Sequence, residues 1–214
     1  MTVIAPALLT DNADTYKEQI ERLQGFTTTV HIDYSDGEFA PSFTLSAPDI
    51  WWPKEWKAHI HAMVARPSEH LPALIKLKPD MIILHAETQE DITPAIQAIK
   101  AAGIRAGVAL LKSTVPVRVK PLIEAADHVM IFSGELGKHG GKASLMQLEK
   151  VRLIHAIRPS IEIGWDGGVA IDNAFSLTQG GVDVLNVGGA FSESSDPKST
   201  FEALQKEVGK HAVI

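Results

Sequence analysis

Eight short apolar runs, each followed by a longer amphipathic or irregular stretch, punctuate the chain and restrict its fold more than any other feature. They fall at 3–6, 28–32, 58–63, 81–84, 106–110, 128–131, 161–164 and 182–187. The runs are rich in Val, Ile and Leu and nearly continuous, as expected of strands buried on both faces. Regular alternation of strand and helix places successive strands in a parallel sheet. Eight units in 214 residues predict a closed (β/α)8 TIM barrel, an architecture of typically about 250 residues, as a single domain over 1–214. The competing architecture is an open doubly wound sheet, which usually carries a glycine-rich turn after its first strand. Here that turn is Leu8-Leu9-Thr10-Asp11 and has no glycine.

The connecting stretches carry their own punctuation. Residues 12–24 read as a helix stopped by Gly25. Thr93 is placed to cap a helix with Pro94 in its first position, Ile96 and Ile99 facing the core, and Gly103 as a left-handed terminator. Leu145, Leu148, Val151, Ile154 and Ile157 recur every three residues and mark a packed stripe. Residues 44–56 hold Pro48, Pro53 and Trp51-Trp52; no full helix is expected there, so the second helix of the barrel is shortened.

Composition narrows the partners. With 45% hydrophobic and 21% charged residues and a net charge of -6, the chain is ordinary globular protein. Nucleic acid and anionic membrane are disfavoured, since both reward clustered Lys and Arg. The absence of cysteine excludes disulfides and thiolate metal sites. The first residues lack a signal peptide's basic start and long apolar run, and no stretch approaches about 18 consecutive apolar residues. A cytoplasmic protein with no membrane span is expected.

In a barrel of this kind, polar groups at the C-terminal ends of strands are the default catalytic positions. Strand 2 ends in His31-Ile32-Asp33, strand 3 contains His59-Ile60-His61, and strand 7 leads into Asp166-Gly167-Gly168. Residues i and i+2 share one side of a strand. His31 and Asp33 therefore point together, and strands 2 and 7 face each other across the mouth. Imidazoles and carboxylates converging there have the composition of a divalent metal site. A second constellation is made of glycine pairs: Gly140-Gly141 after strand 6, Gly167-Gly168 after strand 7 and Gly188-Gly189 after strand 8. Glycine lets backbone N–H groups approach an anion closely, and the loops after strands 7 and 8 are the habitual phosphate site of this fold.

With these motifs in order, the chain resembles the ribulose-phosphate 3-epimerase family from Ile4 to Phe191. The resemblance is carried by Ile4-Ala5-Pro6, by His31-Ile32-Asp33 with Asp36-Gly37 and Phe39-Ala40-Pro41, and by His61-Ala62-Met63-Val64 with Pro67. His85-Ala86-Glu87, Gly107-Val108-Ala109-Leu110, Asp166-Gly167-Gly168 and Gly188-Gly189-Ala190-Phe191 complete it. It implies one divalent ion (Zn, Fe, Mn or Co) on His31, Asp33, His61 and Asp166. It implies Asp33 and Asp166 as the acid–base pair, and a sugar phosphate held by Met63 and the six paired glycines. The expected reaction is inversion of C3 of ribulose 5-phosphate or a related ketose phosphate, in a homo-oligomer. Two alternatives stand beside it. One is a barrel that only binds a phosphorylated metabolite. The other is a related synthase or decarboxylase, whose Asp-x-Lys-x-x-Asp run would need a lysine that Asp33-Tyr34-Ser35-Asp36 lacks. The segment Glu135-Leu136-Gly137-Lys138-His139-Gly140-Gly141-Lys142 departs from the family's strand-6 loop, and Ala7, Ser35 and Phe132 each stand where the family usually has another residue. These changes predict a shifted substrate preference.

Overall fold

The computed structural model describes residues 2–138 and 140–210. Its elements are β1 (Val3–Leu8), α1 (Ala13–Leu23), β2 (Thr29–Ser35), β3 (Lys57–Met63), α2 (Pro67–Lys76), β4 (Met81–His85), α3 (Thr93–Ala101), β5 (Arg105–Leu110) and α4 (Lys120–Ala125). They continue with β6 (His128–Phe132), α5 (Glu149–Ile157), β7 (Glu162–Asp166), α6 (Ile171–Gln179), β8 (Val184–Val187), α7 (Gly189–Ser192) and α8 (Pro197–Val208). The strands follow one another in chain order around a closed parallel barrel, and β1 pairs with β8 from Val3↔Val184 to Pro6↔Val187. The protein is a (β/α)8 TIM barrel.

Alternation along the strands builds two separate apolar layers. One parity (Ile32, Ile60, Ile82, Val108, Ile163) packs outward against helix residues such as Ile20, Leu74, Ile99, Ile154 and Leu177. The other points inward, where Met81, Ile83, Ala109, Met130 and Phe132 form their own cluster. The strands need apolar residues on both faces, which is why their sequence runs are continuous. At the N-terminal end of the barrel the interior turns polar. His128 Nδ1 lies 2.7 Å from Glu162 Oε1, Arg105 donates to the same oxygen at 2.6 Å, and His59 is buried nearby.

The expected helix ends are largely present, with local differences. Asn12 caps α1 by accepting the Thr15 N–H, and Gly25 and Gly103 take φ of +86° and +77°. Thr93 is not the cap of α3: it is the first helical residue, and Asp91 Oδ1 accepts its N–H at 2.9 Å. The stripe in the sixth unit begins later than its spacing indicates. Leu145 is exposed in a short 3-10 turn, and α5 starts at Glu149. Between β2 and β3 only a 3-10 turn, Ala47–Asp49, forms. Ala47, Ile50 and Trp56 are buried there and cover the barrel in place of a helix, while Tyr16 donates its hydroxyl to the carbonyl of Trp51 at 2.7 Å.

Candidate active site

Strand register assembles the site. β2 runs on to Ser35 and β7 to Asp166, so Asp33 and Asp166 are strand residues rather than loop residues. Asp33 pairs in register with His61, and Asp166 with Phe132 on one side and Asn186 on the other. The four ligand atoms of His31, Asp33, His61 and Asp166 all lie within 4.8 Å of one another. His61 Nδ1 is 2.8 Å from Asp33 Oδ1 and 3.5 Å from Asp166 Oδ2. His31 Nε2 is 3.4 Å from Asp33 Oδ1 and 3.7 Å from Asp166 Oδ2.

This constellation fits a divalent cation. Both ring nitrogens of the fully buried His31 lack a hydrogen-bond partner among the described residues, which is costly for a buried polar atom. Two carboxylates converge on the same small volume, where a +2 charge would remove their repulsion and complete a mixed N/O ligand set. The strand-3 pair separates here: His61 joins the site, whereas His59 belongs to the polar floor of the barrel and pairs in register with His31.

The two carboxyls differ in their hold on a proton. Burial pushes Asp33 up, but the close approach of the His31 and His61 imidazoles outweighs it and holds Asp33 well below the usual carboxylate range. Burial pushes Asp166 up and the nearby Asp33 adds to it, so Asp166 binds its proton more tightly than an ordinary carboxyl. Burial lowers His31, yet the nearby carboxylates of Asp33 and Asp166 carry it above its ordinary value. A pair of carboxyls driven apart by environment is the usual mark of an acid–base couple.

Above the cluster opens a cavity of about 570 Å³ lined by Asp33, Met63, Asp166, Phe132 and all six of the paired glycines. The turn carrying Gly167 and Gly168 is fixed from both sides. Fully buried Trp165 donates its indole N–H to the Gly167 carbonyl, and Asn173 donates to the Gly168 carbonyl at 2.8 Å. A Cβ on Gly168 would meet Ala143 N at 2.1 Å, so the strand-6 loop lies directly against this turn. Among the described residues the amides of Gly168, Gly188 and Gly189 donate to no other group. Charge is mixed around them: Lys138 is paired with Glu135 at 2.8 Å, and Glu193 stands beside Gly189.

Several site residues had no assigned role in the sequence. His85 touches His61 Nε2 through its own Nε2 at 2.8 Å, and its Nδ1 is 3.3 Å from Glu87 Oε2. Burial pushes His85 down to about 4. Phe39 and Phe132 flank its ring at 4.7 and 5.6 Å between centroids. Asn186 and Glu193 also line the cavity, beside Lys138 of the altered strand-6 loop. The parity of His85 relative to His61 was the available signal for the first; Asn186 follows from its place in β8 opposite Asp166, and Glu193 depends on the segment after α7.

Comparison with known proteins bears on this geometry. The model of the ribulose-phosphate 3 epimerase family matches residues 3–192. A ribulose-phosphate 3-epimerase, cytoplasmic isoform, from Oryza sativa subsp. japonica is 31% identical over 96% of this chain and 93% of its own. A ribulose-phosphate 3-epimerase from Helicobacter pylori is likewise 31% identical, over 94% and 96%. Among solved structures, 3-hexulose-6-phosphate synthase from Salmonella typhimurium superposes with a TM-score of 0.74 over 97% and 98% of the two chains. At 17% identity it speaks for the shared barrel alone.

Proposed function

The chain belongs to the ribulose-phosphate 3-epimerase family, and from that premise we propose that it is a divalent-metal-dependent epimerase that inverts C3 of a ketose phosphate. The observation that carries this reading is the meeting of Asp33 from β2 and Asp166 from β7 with His31 and His61 inside 4.8 Å, at the floor of a cavity large enough for a sugar phosphate.

Inversion next to a ketone needs one group to take the C3 proton from one face and another to return a proton to the opposite face. Asp33, held ionised, is suited to take it; Asp166, which holds its proton more tightly, is suited to deliver one. The roles exchange in the reverse direction. His31, Asp33, His61 and Asp166 would hold the ion, which when bound supplies Lewis-acid stabilisation of negative charge on the substrate oxygens. Met63 and Phe132 wall the cavity beside the carboxyls and keep water from the carbanionic carbon.

The phosphate is assigned to the loops after β7 and β8, with Gly140 and Gly141 closing over it. Lys138 is neutralised by Glu135, so the unused amides of Gly168, Gly188 and Gly189 supply the attraction. The test is proton exchange. The metal-loaded protein is incubated in deuterated water with ribulose 5-phosphate and, separately, with hexulose 6-phosphates, and C3 is followed by NMR. Deuterium entering C3 with formation of the epimer is expected. Binding of the sugar phosphates with no exchange on any of them would leave a metabolite-binding barrel instead.

A further inference from the structure

We propose that His85 and Glu87 form a positioning relay that fixes the tautomer of His61, so that its Nδ1 lone pair faces the cation position. The inference deepens the metal-dependent reading above and rests on it.

A neutral imidazole has one N–H and one lone pair. His61 and His85 face each other nitrogen to nitrogen at 2.8 Å, so one hydrogen lies between them, and its owner decides what happens at both far ends. If His85 owns it, His85 Nδ1 is a lone pair turned towards the Glu87 carboxylate, and His61 carries its hydrogen on Nδ1, towards Asp33. If His61 owns it, His85 donates Nδ1–H to Glu87 Oε2, 3.3 Å away, and His61 Nδ1 is free to ligate. The carboxylates of Asp33 and Glu87 therefore pull the same pair of hydrogens in opposite directions. A cation on Asp33 removes one of these pulls, and Glu87 then orders the whole chain.

Glu87 is built for this. Its Oε1 accepts the Leu111 N–H at 2.9 Å, which fixes the carboxylate plane and aims Oε2 at His85. Both imidazoles are fully buried, so bulk water offers no competing partner. Behind Leu111, the buried Lys150 donates to its carbonyl and supplies the countercharge.

The geometry makes Glu87→Gln a directional test. The Leu111 N–H requires the amide oxygen, which turns the amide NH2 towards His85 Nδ1. His85 must then accept there and donate from Nε2, forcing the hydrogen of His61 onto Nδ1. The experiment uses the full ¹⁵N-labelled chain, zinc titration by calorimetry, and histidine tautomers from long-range ¹H–¹⁵N spectra. We expect His61 to carry its hydrogen on Nε2 in the zinc-loaded protein and on Nδ1 in metal-free Glu87→Gln. Zinc affinity should fall about 10- to 100-fold, the usual cost of losing a ligand's hydrogen-bond partner. His85→Gln, whose amide oxygen can still accept from His61 Nε2, should keep affinity within about threefold, whereas His85→Leu should not. Zinc bound equally tightly by Glu87→Gln and His85→Leu, or His61 found as the Nδ1–H form when loaded, would overturn the relay alone. An unmutated chain that binds no zinc would overturn the relay and the metal reading together.

Discussion

A Cβ placed on Gly164 of β7 would lie 2.4 Å from His128 Nε2, so the imidazole from β6 occupies the space that any side chain at 164 would need. The two strands pair directly, with Met130 opposite Gly164. Gly164→Ala is expected to cost about 1–3 kcal/mol by overpacking, read from urea unfolding. His128→Ala in the same chain should recover part of that loss, because it empties the contested volume. Strict additivity of the two changes would mean that they do not share the space.

Acid should weaken the metal-free barrel unusually early. Burial pushes His59 down to about 3 and His85 to about 4, and lowers His128 as well. The unfolded chain binds protons on these residues near pH 6.5 while the folded chain does not. Their contribution is therefore complete above pH 6.5 and lost as pH falls towards the folded values. His31, shifted upward, has the opposite sign and is most favourable at low pH. Each histidine that stays neutral should remove about 2 kcal/mol between pH 7 and pH 5. His59→Leu should flatten the pH dependence by about that much, and a variant with the slope of the unmutated chain would count against a neutral His59.

Asp33→Asn and Asp166→Asn should each lower turnover by at least about 100-fold, the lower bound for losing a positioned acid or base, with circular dichroism unchanged. Because both residues also stand in the ion cluster, metal content is measured beside activity. Turnover retained in either variant removes that aspartate from proton transfer.

Phosphate recognition can be tested at Glu193, whose carboxylate stands 3.9 Å from the Cβ position of Gly189. If these amides hold a phosphate, Glu193→Gln should lower KM about two- to fivefold by removing a partly screened like charge. Gly189→Ala should raise KM, since its Cβ would stand 3.0 Å from Gly140 Cα. An unphosphorylated ketose should respond to neither change. Equal effects on both sugars would mean that the glycines are turns without an anion.

The barrel was legible because strands buried on both faces must be apolar throughout, and eight such runs admit few closed arrangements. The ends of β2 and β7 were not, because Asp33, Tyr34, Ser35 and Asp166 interrupt the apolar pattern where the strands carry polar residues into the mouth. Parity identified His31 and Asp33 as neighbours but left His59 and His61 equivalent. Only the stagger between strands separates them, sending His61 to Asp33 and His59 to the barrel floor. The His85–Glu87 pair was visible as a motif without a role. Its meaning depends on an edge-to-edge meeting of two imidazoles that no one-dimensional spacing encodes.

All four residues of the candidate ion cluster lie on barrel strands, while most of the glycine wall and the described residues of the altered segment 135–142 lie on loops. The strands are locked into a closed ring of hydrogen bonds, so an insertion or deletion in those loops has no lever by which to move the carboxyls or imidazoles. Under the proposed reading, reaction type and substrate choice are thus mechanically decoupled: a change in the loops alters the cavity wall and leaves the carboxyls and imidazoles where the strands hold them.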